Sequence, residues 1–352
     1  MIQVGLIGCG FIAKKHVKTI STCEELELKA VSDLDQERMQ EISSLYKEFK
    51  KRNSSISFYK DYKQLIADPE IAVVIIATIS SLHAEIAKKA LKNDKHVIIE
   101  KPLALTLRDA DDIIQLSKTK SKQVLVCHQL RYRPVLEKLK FLLNKDYFGK
   151  LYFGTISLRL HRSFDYYNSS TWKGTWDQDG GMLLNQGIHL IDLLIWFFGD
   201  AHSVYGEIDT KIKNKETEDI ATGIITFKNQ AKGVIEANTI TTPKNLGYSL
   251  SIFGEKGSIC IGGTGFNKIE HCYIEEYPKV KDELLKLQQE TNEHERMYDA
   301  IIKSITKSKQ HLMNADEGRK ALELIFALYQ SARNGKPVFL PVKNFSTIDM
   351  LK

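Results

Sequence analysis

The opening of the chain restricts its fold more than any other stretch. An apolar run, Ile2-Gln3-Val4-Gly5-Leu6-Ile7, leads directly into Gly8-Cys9-Gly10-Phe11-Ile12-Ala13, and a helical pattern follows. This order predicts a strand, a tight turn and a helix. Gly8 permits the turn, Gly10 lets backbone N–H groups approach a pyrophosphate, and the small Ala13 lets the helix pack close to the strand. Phe11 and Ile12 open that helix, whose unpaired N–H groups and positive dipole end face the phosphates. A second strand-like run, Leu28–Ser32, ends in Asp33, about 20 residues beyond Gly10. A carboxylate there accepts hydrogen bonds from a ribose hydroxyl pair and repels a 2′-phosphate, so the expected cofactor is NAD rather than NADP.

The alternation continues. Ile71–Thr78 is a continuous, β-branched run, apolar on both faces, as suits a central strand of a covered parallel sheet. Ligands sit at the carboxyl ends of such strands, which makes Thr78, Ser81 and His83 candidates for a cofactor loop; the plainer reading of His83 is a helix cap. Strand His96–Ile99 runs into Glu100-Lys101-Pro102. A lysine at this end of a parallel strand points toward the cofactor, and Pro102 fixes the local backbone, although a surface lysine in a strand–helix turn has the same appearance. Glu100 and Lys101 join the cofactor-side candidates. The series closes with strand Gln123–Cys127, and the fold class is α/β, a doubly wound parallel sheet over residues 1–127.

From His128 the pattern changes. Strands become longer and period-two, at Leu151–Arg162, Ala221–Phe227, Gly233–Asn238, Tyr248–Gly254 and Gly257–Ile261, and two helices close the chain. Residues 128–352 are therefore expected to form an α+β domain on an open, mostly antiparallel sheet, serving substrate binding and oligomerisation. Within it, Leu184, Ile188, Ile191, Ile195 and Phe198 form an apolar helical stripe that Gly199 stops, while Asn185, His189 and Asp192 share another face. Such a polar trio needs partners when buried. Sugar hydroxyls would serve, and so would a structural hydrogen-bond network.

The remaining composition narrows the classes. The 352 residues allow about two domains. The net charge of +6 is scattered; the densest basic stretch, Lys47-Glu48-Phe49-Lys50-Lys51-Arg52, is interrupted by Glu and reads as a solvated helix end, so no nucleic-acid footprint is expected. The five cysteines have no paired or metal-ligand spacing, which fits a reducing cytoplasm and predicts no metal. No apolar run approaches membrane-spanning length, the opening on a core strand leads us to expect no signal peptide, and the sequons at Asn53 and Asn168 carry no expectation.

Taken together, Gly8-x-Gly10-x-x-Ala13, Asp33, Glu100-Lys101-Pro102 and Gly180-Gly181…Asn185-x-x-x-His189-x-x-Asp192 resemble the Gfo/Idh/MocA oxidoreductases over essentially the whole chain. The resemblance implies a Rossmann domain followed by an open-sheet domain, a nicotinamide cofactor, and redox chemistry at a sugar carbon. It matches the family lysine to Lys101 and the family histidine to His189. Many members carry Asp four residues before that histidine, where this chain has Asn185, which cannot relay a proton. The segment Arg162-Ser163-x-x-Tyr166-Tyr167…Trp172-Lys173-Gly174-Thr175-Trp176 is similar to one subgroup, the UDP-N-acetylglucosaminuronate 3-dehydrogenases of the WbpB/WlbA kind. These oxidise C3 of a nucleotide-linked amino-uronic acid on the way to bacterial surface polysaccharide, such as lipopolysaccharide O-antigen.

That resemblance casts Lys101 as general base, favoured as free amine beside a cationic nicotinamide, with His189 as second candidate and Asn185 orienting the sugar or the imidazole. A small anionic nucleotide-sugar needs cations, drawn from Arg131, Arg133, Arg159, Arg162 and Lys173; Tyr166, Tyr167 and Trp176 would pack on the ligand. A free sugar or polyol such as inositol is the alternative substrate, and a non-catalytic NAD-binding regulator the alternative class. The open sheet predicts a homo-oligomer, and the resemblance implies a homodimer or homotetramer.

Overall fold

Short, β-branched strands separated by amphipathic helices produce a parallel sheet, as the alternation predicts. In the computed structural model, strands β1 (Ile2–Ile7), β2 (Leu26–Ser32), β3 (Ser57–Tyr59), β4 (Val73–Ile76), β5 (His96–Ile99) and β6 (Val124–Val126) pair in the order β3-β2-β1-β4-β5-β6, each neighbour parallel. Helices α1 (Phe11–Thr22), α2 (Gln36–Lys50), α3 (Tyr62–Ala67), α4 (Ser80–Lys92) and α5 (Leu107–Lys120) lie between them. All four β4 residues are buried, the signature of a strand covered on both faces. The strand order reverses between β1 and β4, which pair through Ile7 and Ile76, so the glycine turn and the loop after β4 leave the sheet at its topological switch point. The structure describes residues 1–50, 55–212, 215–307, 311 and 313–351; Lys51 and Arg52, and the loop and sequon expected at Asn53 and Ser54, lie outside the described residues.

The chain divides into two units: Met1–Ala104, Arg108–Cys127 and His294–Arg319 form one, and Leu105–Leu107, His128–Glu293 and Lys320–Lys352 the other. The division after Cys127 falls where the pattern changes, but His294–Arg319, expected in the second domain, belongs to the first unit. Its Met297, Tyr298 and Ile301 are buried, Val126 donates its N–H to the Met313 carbonyl at 2.9 Å, and Gly318 lies where a Cβ would come within 2.8 Å of the Val126 side chain. A helical pattern shows that such a segment has an apolar face, not which core receives it.

The second unit carries an eight-stranded sheet: β7 (Leu151–Arg159), β8 (Ala201–Asp209), β9 (Ile220–Phe227), β10 (Lys232–Asn238), β11 (Gly247–Gly254), β12 (Gly257–Gly263), β13 (Lys268–Ile274) and β14 (Val338–Phe339). The order is β13-β12-β11-β7-β10-β9-β8-β14, antiparallel except for the parallel pair β7–β10. Its helices include α6 (Pro134–Asn144), α7 (Phe164–Asn168), α8 (Ile188–Phe198) and α9 (Val280–Leu287); α10 (Glu293–Lys307) and α11 (Ala315–Asn334) follow. Helix α8 lies on β7, and Gly154 supplies the flat spot, since a Cβ there would sit 2.4 Å from the Phe198 ring. No helix among the described residues is long and apolar enough to cross a membrane.

Helix α8 is buried on nearly every side, yet it contains Asp192, which is 1% exposed. Arg131, equally buried, meets both its oxygens: Nε to Oδ2 at 2.8 Å and Nη2 to Oδ1 at 2.7 Å. The guanidinium also lies over the Trp196 ring. Removing one partner strands a buried charge, which costs about 3–5 kcal/mol, whereas replacing both with apolar groups is often neutral. Arg131→Met is therefore expected to lower unfolding stability by about that amount, and the Arg131→Met/Asp192→Leu double variant to recover most of it in urea denaturation.

Candidate active site

The glycine turn is built as a cradle. Gly8 has φ +91° and a Cβ there would lie 2.5 Å from the Ala77 carbonyl oxygen, so only glycine fits. A Cβ on Gly10 would meet no atom within 4 Å, so the space before α1 is open. Helix α1 has no capping side chain and no acidic residue in its first turn, which leaves its N–H groups, including those of Phe11 and Ile12, to an anion. The Asp33 carboxylate accepts from the Cys9 N–H at 2.7 Å and from the Asp35 N–H at 3.0 Å, tying the end of β2 to the turn. These residues fit an NAD pyrophosphate and ribose.

The loop after β4 departs from expectation. Helix α4 begins at Ser80, so Ser81 and His83 lie in its first turn, where serines are tolerated because the N–H groups have no intrahelical acceptor. His83 is buried between two carbonyls, with Nδ1 2.7 Å from Pro102 O and Nε2 3.2 Å from Thr78 O. Burial holds its pKa below the ordinary histidine value, and the neutral ring donates to the nearer carbonyl. His83 thus joins the two cofactor-side loops internally and is not their helix cap. The Lys101–Pro102 peptide is cis, and Lys101 is half-buried.

Glu100 is turned inward. Its Oε1 lies 3.0 Å from His16 Nε2, and its Oε2 accepts the Lys101 N–H at 3.3 Å. His16 Nδ1 lies 2.7 Å from the Tyr298 hydroxyl, and the Cys127 thiol, pushed well above its ordinary pKa by burial and by Glu100, completes the cluster. Glu100 therefore reads as a hub at the carboxyl end of β5 rather than a cofactor ligand. Neighbouring His294 is held neutral, with its pKa lowered to about 3 by burial.

In the second unit, Asn185 sits in a π turn, Leu183–Gly187, that leads into α8. Single π turns recur at functional sites because they re-aim one side chain without ending the helix. Asn185 donates to Asp179 Oδ1 at 2.6 Å, and Asp179 Oδ2 accepts the Gly174 N–H at 2.9 Å. The His189 ring meets His128 edge-on, with centroids 5.6 Å apart, and His128 Nδ1 lies 3.7 Å from Asp192. Of the expected polar trio, Asp192 is spent on Arg131, which removes Arg131 from the anion-binding pool; Asn185 and His189 remain half-exposed.

The segment 162–176 separates into a surface part and a packed part. The Arg162 guanidinium and the Lys173 ammonium both lie over the Tyr166 ring, at 5.1 and 4.3 Å, and Gln186 donates to the Tyr166 hydroxyl. Lys173 lines a 740 Å³ cavity with Tyr167, Ser169, Ser170, Thr171 and Lys215. Tyr167 and Trp176 are instead buried: the Tyr167 ring receives Lys215 at 4.3 Å, and the Trp176 indole N–H donates to Glu216 O. Arg159 forms a bidentate pair with Glu236 on the adjacent strand, and Arg133 faces Glu293 at 3.9 Å. Sequence reasoning gave no role to Asp179, although it directly precedes Gly180-Gly181 in the resembling segment, and missed His128, which leaves the last parallel strand.

It also missed Glu218, which is fully buried. Its Oε1 accepts the Leu183 N–H at 2.8 Å and the Tyr329 O–H at 2.6 Å, while Oε2 is buried without a hydrogen-bond partner. Burial raises its pKa to about 7, against the Tyr329 hydroxyl, the Leu183 N–H and the Lys215 charge, which favour the anion. An acid with a raised native pKa binds its proton more tightly when folded. Its stabilising contribution is complete below the ordinary value of 4.5 and is lost as pH rises through about 7. Relative to Glu218→Gln, the unaltered chain should gain stability as pH falls from about 8 to 5, approaching about 3 kcal/mol in urea denaturation.

The profile of the Gfo/Idh/MocA oxidoreductase family, NAD-binding Rossmann fold, matches residues 2–128, and that of its C-terminal alpha/beta domain matches residues 140–340. Among solved structures, the chain is similar to the WlbA dehydrogenase of Chromobacterium violaceum in complex with NADH and UDP-GlcNAcA. That match has a TM-score of 0.89 and 31% identity, covering 97% of this chain and 96% of that one. The WlbA dehydrogenase of Bordetella pertussis, also with NADH and UDP-GlcNAcA, gives a TM-score of 0.88 and 29% identity, covering 97% and 99%. The myo-inositol 2-dehydrogenase of Thermotoga maritima is 24% identical over 359 residues, covering 96% of this chain and 98% of its own. The cradle at Gly8–Ala13, the Glu100-Lys101-Pro102 loop and the two matching profiles place this chain in the Gfo/Idh/MocA family of NAD-dependent oxidoreductases.

Proposed function

We propose that this enzyme oxidises the C3 hydroxyl of a UDP-linked N-acetylamino-uronic acid to a ketone. The observation that carries the reading is the cationic edge of segment 162–176, where Arg162 and Lys173 share the Tyr166 ring beside a 740 Å³ cavity. A guanidinium and an ammonium at one aromatic face suit a carboxylate or diphosphate and have no counterpart in a neutral polyol. The likeness to two UDP-GlcNAcA complexes supports it.

In this reading Lys101 removes the hydroxyl proton, and Asn185 and His189 orient the sugar by hydrogen bonds. The bound nicotinamide supplies the hydride acceptor. Asn185 cannot take a proton, and Asp179, to which its amide N–H donates, fixes the orientation of that amide. Purified protein with NAD⁺ should develop the reduced-nicotinamide absorbance with UDP-N-acetylglucosaminuronic acid, and not with UDP-N-acetylglucosamine or inositol. Lys101→Met should lower that turnover by about 10²–10⁴ while leaving the Kd for NAD unchanged. Reduction with inositol alone would favour the polyol reading that the Thermotoga relative raises; tight NAD binding with no substrate would favour the regulator.

The second unit leaves Tyr152, Phe153 and Ile224 exposed on its sheet strands. In our reading a second copy of the chain covers them, giving a homodimer or homotetramer. Sedimentation velocity should then show no monomer at micromolar concentration, and Ile224→Lys should shift it toward the monomer.

A further inference from the structure

We infer that Glu218 is a positioning residue for this reaction: by holding the Leu183 N–H, it fixes the π turn that aims Asn185. The inference rests on the assignment of Asn185 and His189 to the sugar. The first turn of any helix leaves N–H groups without intrahelical acceptors, and a π turn adds a further misfit in the ladder. Here Met182 offers no capping side chain, and the acceptor comes instead from a residue 35 positions away, Glu218 Oε1 at 2.8 Å. Tyr329 on α11 holds the same oxygen from the other side at 2.6 Å.

The backbone around the bond is shaped to admit it. Gly181 has φ +107°, and a Cβ there would meet the Tyr329 hydroxyl at 2.4 Å and Glu218 Oε2 at 2.5 Å. The Gly181 carbonyl accepts the Asn185 N–H at 2.9 Å, so the residue that clears space for the carboxyl also holds the main chain of Asn185. The groups facing Glu218 are the Tyr329 hydroxyl from α11, the Leu183 N–H from the π turn, and Lys215 with its partner Asp219 from the segment entering β9; Asp179 faces Tyr329 from the loop before the turn. Lys215 donates to Asp219 at 2.6 Å and to the Glu218 main-chain carbonyl at 2.9 Å, not to the Glu218 carboxyl. What it supplies is an acceptor at a fixed place, which a neutral carboxyl or an amide oxygen also supplies.

The test uses Glu218→Ala, Glu218→Gln and Tyr329→Phe in the full chain, with three readouts: kcat and KM for the sugar substrate, Kd for NAD, and hydrogen exchange of the Leu183 and Asn185 amides. Glu218→Ala should lower kcat about tenfold or more, the loss of a buried hydrogen-bond acceptor. KM should change less than about threefold and the Kd for NAD not at all, while the Leu183 amide exchanges about tenfold faster or more. Glu218→Gln, which keeps the acceptor, should restore kcat and exchange to within about threefold of the unaltered chain. Should Glu218→Ala not fold, Tyr329→Phe, which removes the hydroxyl shared by Glu218 and the Gly180 carbonyl but leaves the bond from Leu183, should show both effects in smaller measure. Unaltered kcat in Glu218→Ala, or a lowered kcat with unaltered Leu183 exchange, would overturn the inference. If the unaltered protein turns over no sugar, the functional reading fails, and amide exchange still decides whether Glu218 holds the turn.

Discussion

A carboxylate as deeply buried as that of Asp192 has to be met by a cation, and much of the second unit is arranged around that requirement. The helix carrying it is apolar on nearly every side, so no water reaches the charge. Arg131 answers it with two hydrogen bonds, and in doing so it pins the turn at Gln129–Tyr132 to α8. His128 and His189 then meet edge-on beside the pair. His189 on this helix and Asn185 in the π turn before it stay half-exposed above that paired charge.

The first unit solves a similar problem with neutral and charged groups in series. Glu100 is held by His16, and His16 by Tyr298, so that α1, the end of β5 and the segment after His294 share one buried polar cluster. The members that line up at the carboxyl end of the sheet fix the main chain of Lys101 through its own N–H. Buried polar networks of this kind reward completeness, since any member left without a partner keeps its full desolvation cost. The cradle at Gly8–Ala13 therefore stands on a scaffold that few substitutions leave intact.

The period-two and period-3.6 patterns foresaw the strands that alternate strongly and the helices with an apolar stripe. They missed β8 and β13, where polar residues interrupt the alternation, and they began α4 too late because serines open it. The cofactor cradle was legible because glycine spacing encodes backbone geometry directly. The substrate side was legible only in part. Arg131, Arg159, Tyr167 and Trp176 have the right chemistry for a ligand, but whether a cation meets a ligand or a partner such as Asp192 or Glu236 depends on contacts distant in sequence. The same holds for Glu218, whose role comes from a hydrogen bond to a residue 35 positions away. A glutamate in a charged run before a strand, Lys215-Glu216-Thr217-Glu218-Asp219, carries no local mark of burial.

Asp33 has one more effect on the turn it holds. Cys9 lies between the two glycines, where a reactive thiol would expose the cofactor cradle to alkylation and oxidation. Burial, and then the adjacent Asp33 charge, push its pKa up to about 12. Thiolate, not thiol, is the nucleophile, so at neutral pH the sulfur has almost none of its reactive form. The carboxylate that positions the turn thus also keeps its cysteine chemically silent.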